Sequence, residues 1–382
     1  MTAGIKGADV TDFRKAGYPL TEAADTYNVK ALDIFGGTGH MPPNDTPPGR
    51  SASIWDVARV AGVSQQTVSR VINDKTRVSA STRAKVMQVI AELGYRPNRL
   101  ARTLAGGPVS SVTVLTSDTA LFGAAATLRG MEEAARAAGF SVGISVLEPG
   151  ASETDIALRL NRPQEPVMVI AYDGPGVRAL RALPPDVLVT AAVERPESGS
   201  GDDPWEVWLD DRAAAAHATR HLLSLGHKTV QYVAIPSSTS ALPQRTRGWQ
   251  DALRATGRPL PEPLQAGWTP RSGYLAVRSL LADHSVSAIL CGSDDLALGV
   301  MRAAREAGRD IPGDLSVVGF EDTPASAYLY PSLTTVRLDF EGLGRACFGL
   351  LLRRLQPEAA LSLSTWNEPE LIARESSGPS PV

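Results

Sequence analysis

Between residues 108 and 377, short and continuously apolar runs alternate with longer segments that are apolar on one face only. The runs are 111–115, 167–171, 187–193, 230–235, 288–291 and 315–320. A strand with one wet face alternates polar and apolar residues, whereas a continuously apolar run needs cover on both faces, the condition met by parallel sheets wrapped in helices. The intervening segments 129–138, 212–225, 245–255, 272–282 and 296–307 have helical period and composition. Gly139, Gly226, Gly257 and Gly308 stand where a terminating glycine would close four of them. The pattern predicts a doubly wound α/β architecture, and its length predicts two lobes.

The rest of the composition narrows the class. The chain of 382 residues is 43% hydrophobic, enough for large cores. Its longest apolar stretches, such as Leu315 to Phe320, fall far short of the roughly 20 residues that span a bilayer. The N-terminus has no charged-then-apolar leader, so the expectation is a soluble cytoplasmic protein. Cys291 and Cys347 stand apart in apolar surroundings, which predicts two buried structural thiols and neither a disulfide framework nor a thiolate metal cluster. No cofactor or metal is expected.

Charge is distributed unevenly. Residues 50–107 carry ten Lys and Arg against three Asp and Glu, while the chain as a whole has a net charge of −3. A basic block on an acidic chain points to a polyanion as partner. Within it, Ile54, Val57, Ala58 and Ala61 fall at helical spacing, Gly62 breaks the helix, and Ser64 opens another with Val68, Val71 and Ile72 inward. A small residue where helices cross, then a glycine free to take positive φ, then a capping serine is what a tight helix-turn-helix needs. A third helix follows from Ser79 or Ser81, with Val86, Val89, Ile90 and Leu93 inward, and closes on Gly94. Gln65, Gln66 and Arg70 project from the outer face of the second helix. Gln66 and Arg70 are four apart and are the side chains suited to bidentate contact with adenine and guanine edges.

Residues 1–49 hold seven Gly and five Pro without sustained periodicity, and are read as a disordered extension ending in a stiff proline linker. Met41 offers a second translation start. The glycines of Gly36-Gly37-Thr38-Gly39-His40 lack the Lys-Ser/Thr ending and the flanking elements of a phosphate loop. After Pro97, the segment 98–107 carries Leu100 and Leu104 on one stripe with arginines beside it. Two turns of helix are too short to persist alone in water. Two readings fit by composition: an ordinary linker helix packed on its own domain, or a hinge helix that folds against a partner chain and DNA and wedges a leucine into the minor groove.

The run from Ile54 to Asn73 (IWDVARVAGVSQQTVSRVIN), followed by Gly94-Tyr95-Arg96-Pro97-Asn98, closely resembles the lactose-repressor/galactose-repressor family of bacterial transcription regulators. The resemblance continues through 130–135, Leu225-Gly226-His227, 293–299, 317–322, 331–336 and Arg374-Glu375-Ser376. It implies an N-terminal all-α helix-turn-helix DNA-binding domain (50–97), a hinge helix and linker (98–107), and a C-terminal α/β periplasmic-binding-protein-like domain of two Rossmann-like lobes (108–377). The first lobe would hold 109–209 and 337–355, the second 210–333 and 360–375, with a tail at 378–382. It further implies a homodimer or a higher oligomer, a palindromic double-stranded DNA operator as partner, and a small-molecule effector in the cleft. The residues expected to meet DNA are Ser64, Gln65, Gln66, Thr67, Ser69, Arg70, Asn73, Arg77, Asn98, Arg99 and Leu104.

Ligands in open parallel sheets sit at the carboxyl ends of strands. That rule selects Ser117 and Asp118, Ser293 and Asp294, and Glu321 and Asp322. By resemblance, Arg245 matches an arginine that reaches ligand hydroxyls or carboxylates, Trp268 an aromatic that covers a sugar ring, and Glu321 a place usually held by aspartate. The expected effector site is therefore Ser117, Asp118, Glu194, Arg245, Trp268, Ser293, Asp294 and Glu321, and the expected ligand a sugar. The chain departs from the family where Ser293-Asp294 replaces Asn-Asp, Glu194-Arg195 replaces Asp-Arg, and Phe320-Glu321-Asp322 replaces Phe-Asp-Asp. Residues 147–166 lack the family's long amphipathic helix, and 195–204 form a Gly/Ser/Asp-rich loop.

Two other function classes share features with this chain. A secreted solute receptor shares the regulatory fold but has no use for a helix-turn-helix. An enzyme is disfavoured because His217 and His221, four apart on a helix, have neither an intervening Glu in the zinc-protease arrangement nor a third ligand nearby.

Overall fold

The computed structural model describes residues 52–72, 78–95, 111–148, 156, 165–195, 203–236, 243–357 and 365–381. The extension 1–49, most of 149–164, and the expected hinge 98–107 lie outside them, as do Asn73, Arg77, Asn98, Arg99 and Leu104. The chain falls into two compact units that divide after Pro97.

The first unit contains helices α1 (Ile54–Ala61), α2 (Gln65–Ile72) and α3 (Ala80–Glu92). Ser53 caps α1 in a reciprocal capping box with Asp56, and Gly62 ends it in the left-handed region at φ 64. Ser79 is the residue that caps α3, its side chain accepting from the Thr82 amide. Val57, Ala58, Ala61, Val68, Val71, Val86 and Val89 form one small core, with Ile54, Ile72 and Ile90 packed around it.

The second unit is built on two sheets. The first has the order β2 (Ser141–Val146), β1 (Ser111–Thr116), β3 (Val167–Ala171), β4 (Val189–Val193), β5 (Glu206–Val207), all parallel. The second has the order β11 (Glu370–Ile372), β10 (Thr334–Arg337), β9 (Ser316–Glu321), β8 (Ala288–Cys291), β6 (Gln231–Ala234), β7 (Leu264–Gln265), with only the β10–β11 pair antiparallel. Both cysteines are buried, and burial pushes the thiols up, that of Cys347 to about 12.

Helices α4 (Phe122–Ala137) and α5 (Gly174–Ala182) serve the first sheet, and α6 (Asp211–Ser224), α7 (Gln244–Ala255), α8 (Pro270–Val277) and α9 (Asp294–Glu306) the second. The chain crosses between sheets near residue 209 and again near 339, where α10 (Phe340–Leu355) packs back on α4, and returns to pair β11 with β10. The α4–α10 crossing depends on glycine. A Cβ at Gly130 would lie 2.0 Å from the Glu341 carbonyl oxygen, and one at Gly344 would lie 2.1 Å from that of Thr127. Gly130→Ala is therefore expected to cost about 1–3 kcal/mol by forcing the helices apart. Chemical denaturation measures this, and an unchanged midpoint would show that the two helices separate freely.

Three segments depart locally from the pattern expected of the sequence. The helix expected from residue 129 begins at Phe122, because its first turns are alanine-rich and lack the apolar period that marks the rest. The segment expected as one helix over 272–282 is α8 followed by a separate 3₁₀ turn at Leu280–Ala282. The expected tail is stitched into the second lobe: Gly378 donates its amide to the Ser316 hydroxyl and accepts from it and from His227, and the Ser380 amide donates to the Leu225 carbonyl. Small residues let this backbone lie flat against β9 and the end of α6. His227 is buried there, and desolvation holds its imidazole below the ordinary range.

Candidate functional site

One cleft lies between the two sheets of the second unit, at the carboxyl ends of β1, β3, β4, β6, β8 and β9. Its volume is about 70 Å³, room for on the order of five ordered waters, the scale of one small ligand. The first lobe supplies an aromatic wall of Phe122, Tyr172 and Phe340, with Phe340 edge-on to Phe122 at 6.3 Å and 5.9 Å from Tyr172. The Tyr172 hydroxyl is held by the Thr127 hydroxyl at 2.8 Å. Trp268, half-buried in the loop before α8, faces the cleft from the second lobe. Flat apolar walls with polar groups between them suit a polyhydroxylated ring.

Of the residues expected to hold an effector, Ser117, Asp118, Glu194, Arg245, Trp268, Ser293 and Glu321 line the cleft. Ser117 donates to Asp173 at 2.5 Å, and Asp118 accepts the amides of Ala120 and Leu121, fixing the approach to α4. Glu194 reaches from the first lobe to the Gln244 amide at 2.6 Å, at the start of α7 in the second. Ser293 caps α9 through the Leu296 amide.

Asp294 does not line the cleft. Its carboxylate faces the sheet, accepting from the Thr323 amide at 2.7 Å and from the hydroxyls of Ser326 and Thr335 at 2.6 and 2.5 Å. Asp295, one helical step on, occupies the cleft wall instead. At the first turn of a helix a rotation of one residue exchanges the sheet-facing side for the open one. Asp294 thus braces the segment after β9, where Glu321 and Asp322 have φ of 109 and 52. Such backbone costs on the order of 1–3 kcal/mol for a residue with a side chain. Asp322, expected from the strand-end rule, is turned away and held by Arg374 at 2.6 Å and Arg337 at 2.8 Å.

Arg245 is the electrostatic centre. It is 6% exposed, with Nε donating to Asp211 at 3.1 Å, Nη1 donating to the Gly292 carbonyl at 2.5 Å, and Glu321 3.7 Å away. The guanidinium stacks 4.3 Å over the Phe320 ring. Burial opposes its charge, but Asp211 and Glu321 outweigh burial and hold it protonated. Burial lifts the Glu321 carboxyl to about 8, with Arg245 pulling it down and Asp294, Asp295 and Asp211 pushing it up. At neutral pH its O–H is available as a donor.

Tyr172, Asp173, Asp211 and Asp295 line the cleft and were not anticipated. Tyr172 and Asp173 directly follow β3, so the strand-end rule would have found them if applied to that strand. No signal in sequence marks Asp211 as the partner of Arg245.

In the first unit, Gln66 and Arg70 of α2 are exposed, while Gln65, Thr67 and Ser69 are half-buried. The Ser64 hydroxyl accepts the Thr67 amide at 3.2 Å and bonds its hydroxyl at 2.9 Å, so Ser64 and Thr67 shape the start of the helix. Arg83 of α3 reaches the Val71 carbonyl at 3.4 Å. Trp55 of α1, 67% exposed, is a large apolar side chain that was not singled out in the sequence.

The family profile described as bacterial regulatory proteins, lacI family, matches residues 53–98, and that described as periplasmic binding protein-like domain matches 219–377. The chain is 33% identical over 319 residues to the lactose operon repressor of Escherichia coli (strain K12), covering 81% of this chain and 86% of that protein. A solved lac repressor dimer, bound to operator and the anti-inducer ONPF, superposes with a TM-score of 0.73 at 30% identity, covering 86% of this chain and 100% of that one. A complex of the transcriptional regulator CelR with cellobiose superposes with a TM-score of 0.62 at 29% identity, covering 85% and 99%.

Proposed function

The chain belongs to the lacI family of bacterial regulatory proteins and is a DNA-binding transcription regulator, and on that premise we propose that it represses carbohydrate-metabolism genes under the control of a small sugar. The observation that carries the reading is the joining, in one chain, of a helix-turn-helix with exposed Gln66 and Arg70 to a two-lobed cleft lined with aromatic and hydrogen-bonding groups. The dimeric lac repressor on its operator and the cellobiose-bound CelR support both halves of the reading.

In this proposal the protein acts in the cytoplasm as a homodimer on a near-palindromic operator. Two copies of α2 enter successive major grooves, with Ser64, Gln65, Gln66, Thr67, Ser69, Arg70, Asn73 and Arg77 toward DNA. Residues 98–107 form paired hinge helices, with Asn98 and Arg99 at the backbone and Leu104 wedged in the minor groove. Ligand in the cleft shifts operator affinity only to the extent that it binds one lobe arrangement better than another. Trp268 and Arg245 on one lobe, with Ser117, Asp118 and Glu194 on the other, supply that differential contact.

Selection of bound DNA from a random pool, with and without a panel of sugars, tests the proposal. The expected result is a near-palindromic consensus whose recovery changes with one sugar. Recovery without a consensus, or a consensus indifferent to every sugar, would overturn the corresponding half.

A further inference from the structure

The two lobes are fastened to each other at the end of β4. Glu194 directly follows that strand in the first lobe, and its Oε1 accepts the Gln244 amide, 50 positions away in the chain, at 2.6 Å. Gln244 is the first residue of α7 in the second lobe. The N-cap of that helix is Pro243, which makes no side-chain cap bond, and its first turn holds no acidic residue. The first amides of a helix have no partner within it, and its N-terminus favours a negative group. Glu194 therefore performs, from the opposite lobe, the capping that α7 does not provide for itself.

The next residue anchors it. Arg195 donates to Asp210, which caps α6 by accepting the Ala213 amide, and its guanidinium lies 4.3 Å over the Trp208 ring. That contact sits beside the crossover near residue 209, where the chain itself already joins the lobes. The Glu194–Gln244 bond instead joins the two walls, since Glu194 lines the cleft from one side and Pro243 and Arg245 line it from the other. Both of its ends are stiff. The last four residues of β4 are buried in the first sheet, and α7 is packed along α6, so the bond fixes how far apart the walls stand.

We propose that the Glu194 carboxylate and the Gln244 amide form a strap that holds the two lobes together in the ligand-free protein, which makes Glu194 a positioning residue of the cleft. A carboxylate on a helix N-terminus makes a charge-assisted bond, and in a half-buried place water competes for it weakly. A bond that forms in only one lobe arrangement biases the equilibrium toward that arrangement. A ligand gripping both lobes then meets walls already in place, and one that needs a wider cleft must first break the strap. The strap belongs to the ligand-free protein, so it holds whatever small molecule the cleft takes.

Hydrogen exchange on the full-length, ligand-free protein, read by mass spectrometry, tests this with two substitutions at one position. Gln244→Pro removes the amide donor. Proline is accepted at the first position of a helix, and Pro243 before it has ψ of 146, the extended region that a following proline requires. Gln244→Ala removes the same buried side chain and keeps the amide. Relative to Gln244→Ala, Gln244→Pro is expected to speed exchange about tenfold, the scale of one charge-assisted hydrogen bond, at two places. One is the first turn of α7. The other is the first-lobe segment 117–121, whose Ser117, Asp118 and Leu121 line the cleft and which loses protection only if the lobes part. Glu194→Ala cuts the same bond from the other side without altering α7 and should also speed exchange at 117–121, so it decides the matter if the proline variant misfolds. Faster exchange confined to α7 would reduce Glu194 to a local helix cap, and unchanged exchange at both places would show that the bond constrains nothing. Either result would overturn the strap.

Discussion

Arg245→Ala is expected to abolish effector response and to destabilise the two-lobed unit by about 3 kcal/mol, the lower end of the range for breaking a buried ion pair. The guanidinium is nearly sealed from solvent and holds apart Asp211 and Glu321. Its removal leaves two buried carboxyls facing each other over Phe320. The cost stays toward the low end because burial already lifts Glu321 to about 8, so that group relieves the repulsion by keeping its proton. Trp268→Ala separates ligand contact from stability, since that side chain is half-exposed in a loop. It should lose the sugar response with little change in melting. Both variants should bind ligand-free operator within a few-fold of wild type. Calorimetry together with operator titration checks the pair, and undiminished sugar affinity in both would place the effector elsewhere.

Arg70→Ala is expected to cost about 1–3 kcal/mol in specific operator affinity and to relax preference at one position per half-site. The side chain is exposed near the end of α2, four residues from Gln66, while Val68 and Val71 of the same helix form the core. Its removal therefore leaves the packing of the three helices untouched. Loss confined to the selected sequence is the signature of a base contact. Equal loss on selected and random DNA would assign Arg70 to the phosphate backbone instead.

Much of this molecule is legible in its sequence. Continuously apolar runs located β1, β3, β4, β6, β8 and β9 to within a few residues, because a strand covered on both faces favours apolar residues at successive positions. Gly62, Gly94, Gly139, Gly226, Gly257 and Gly308 follow helices and take positive φ, a local requirement that glycine meets at least cost. The edge strand β2 was missed because SVGISV is half open to solvent and carries no continuous apolar signal. The strands β5 and β7 are two residues long, and a pair of residues has no period.

The site divides along the same line. Composition and strand ends marked Ser117, Asp118, Ser293 and Glu321 as candidates, since the carboxyl end of a parallel strand is a property of chain direction alone. Whether Asp294 or Asp295 faces the cleft depends on how α9 is rotated against the sheet. That rotation is set by packing on α8 and β9, residues apart in sequence. The pairing of Arg245 with Asp211 spans 34 positions and exists only because α6 and α7 pack against each other. Period, turn chemistry and charge are local and were written in the chain; the partner of each buried charge depended on distances between elements, which only the packed tertiary structure determined.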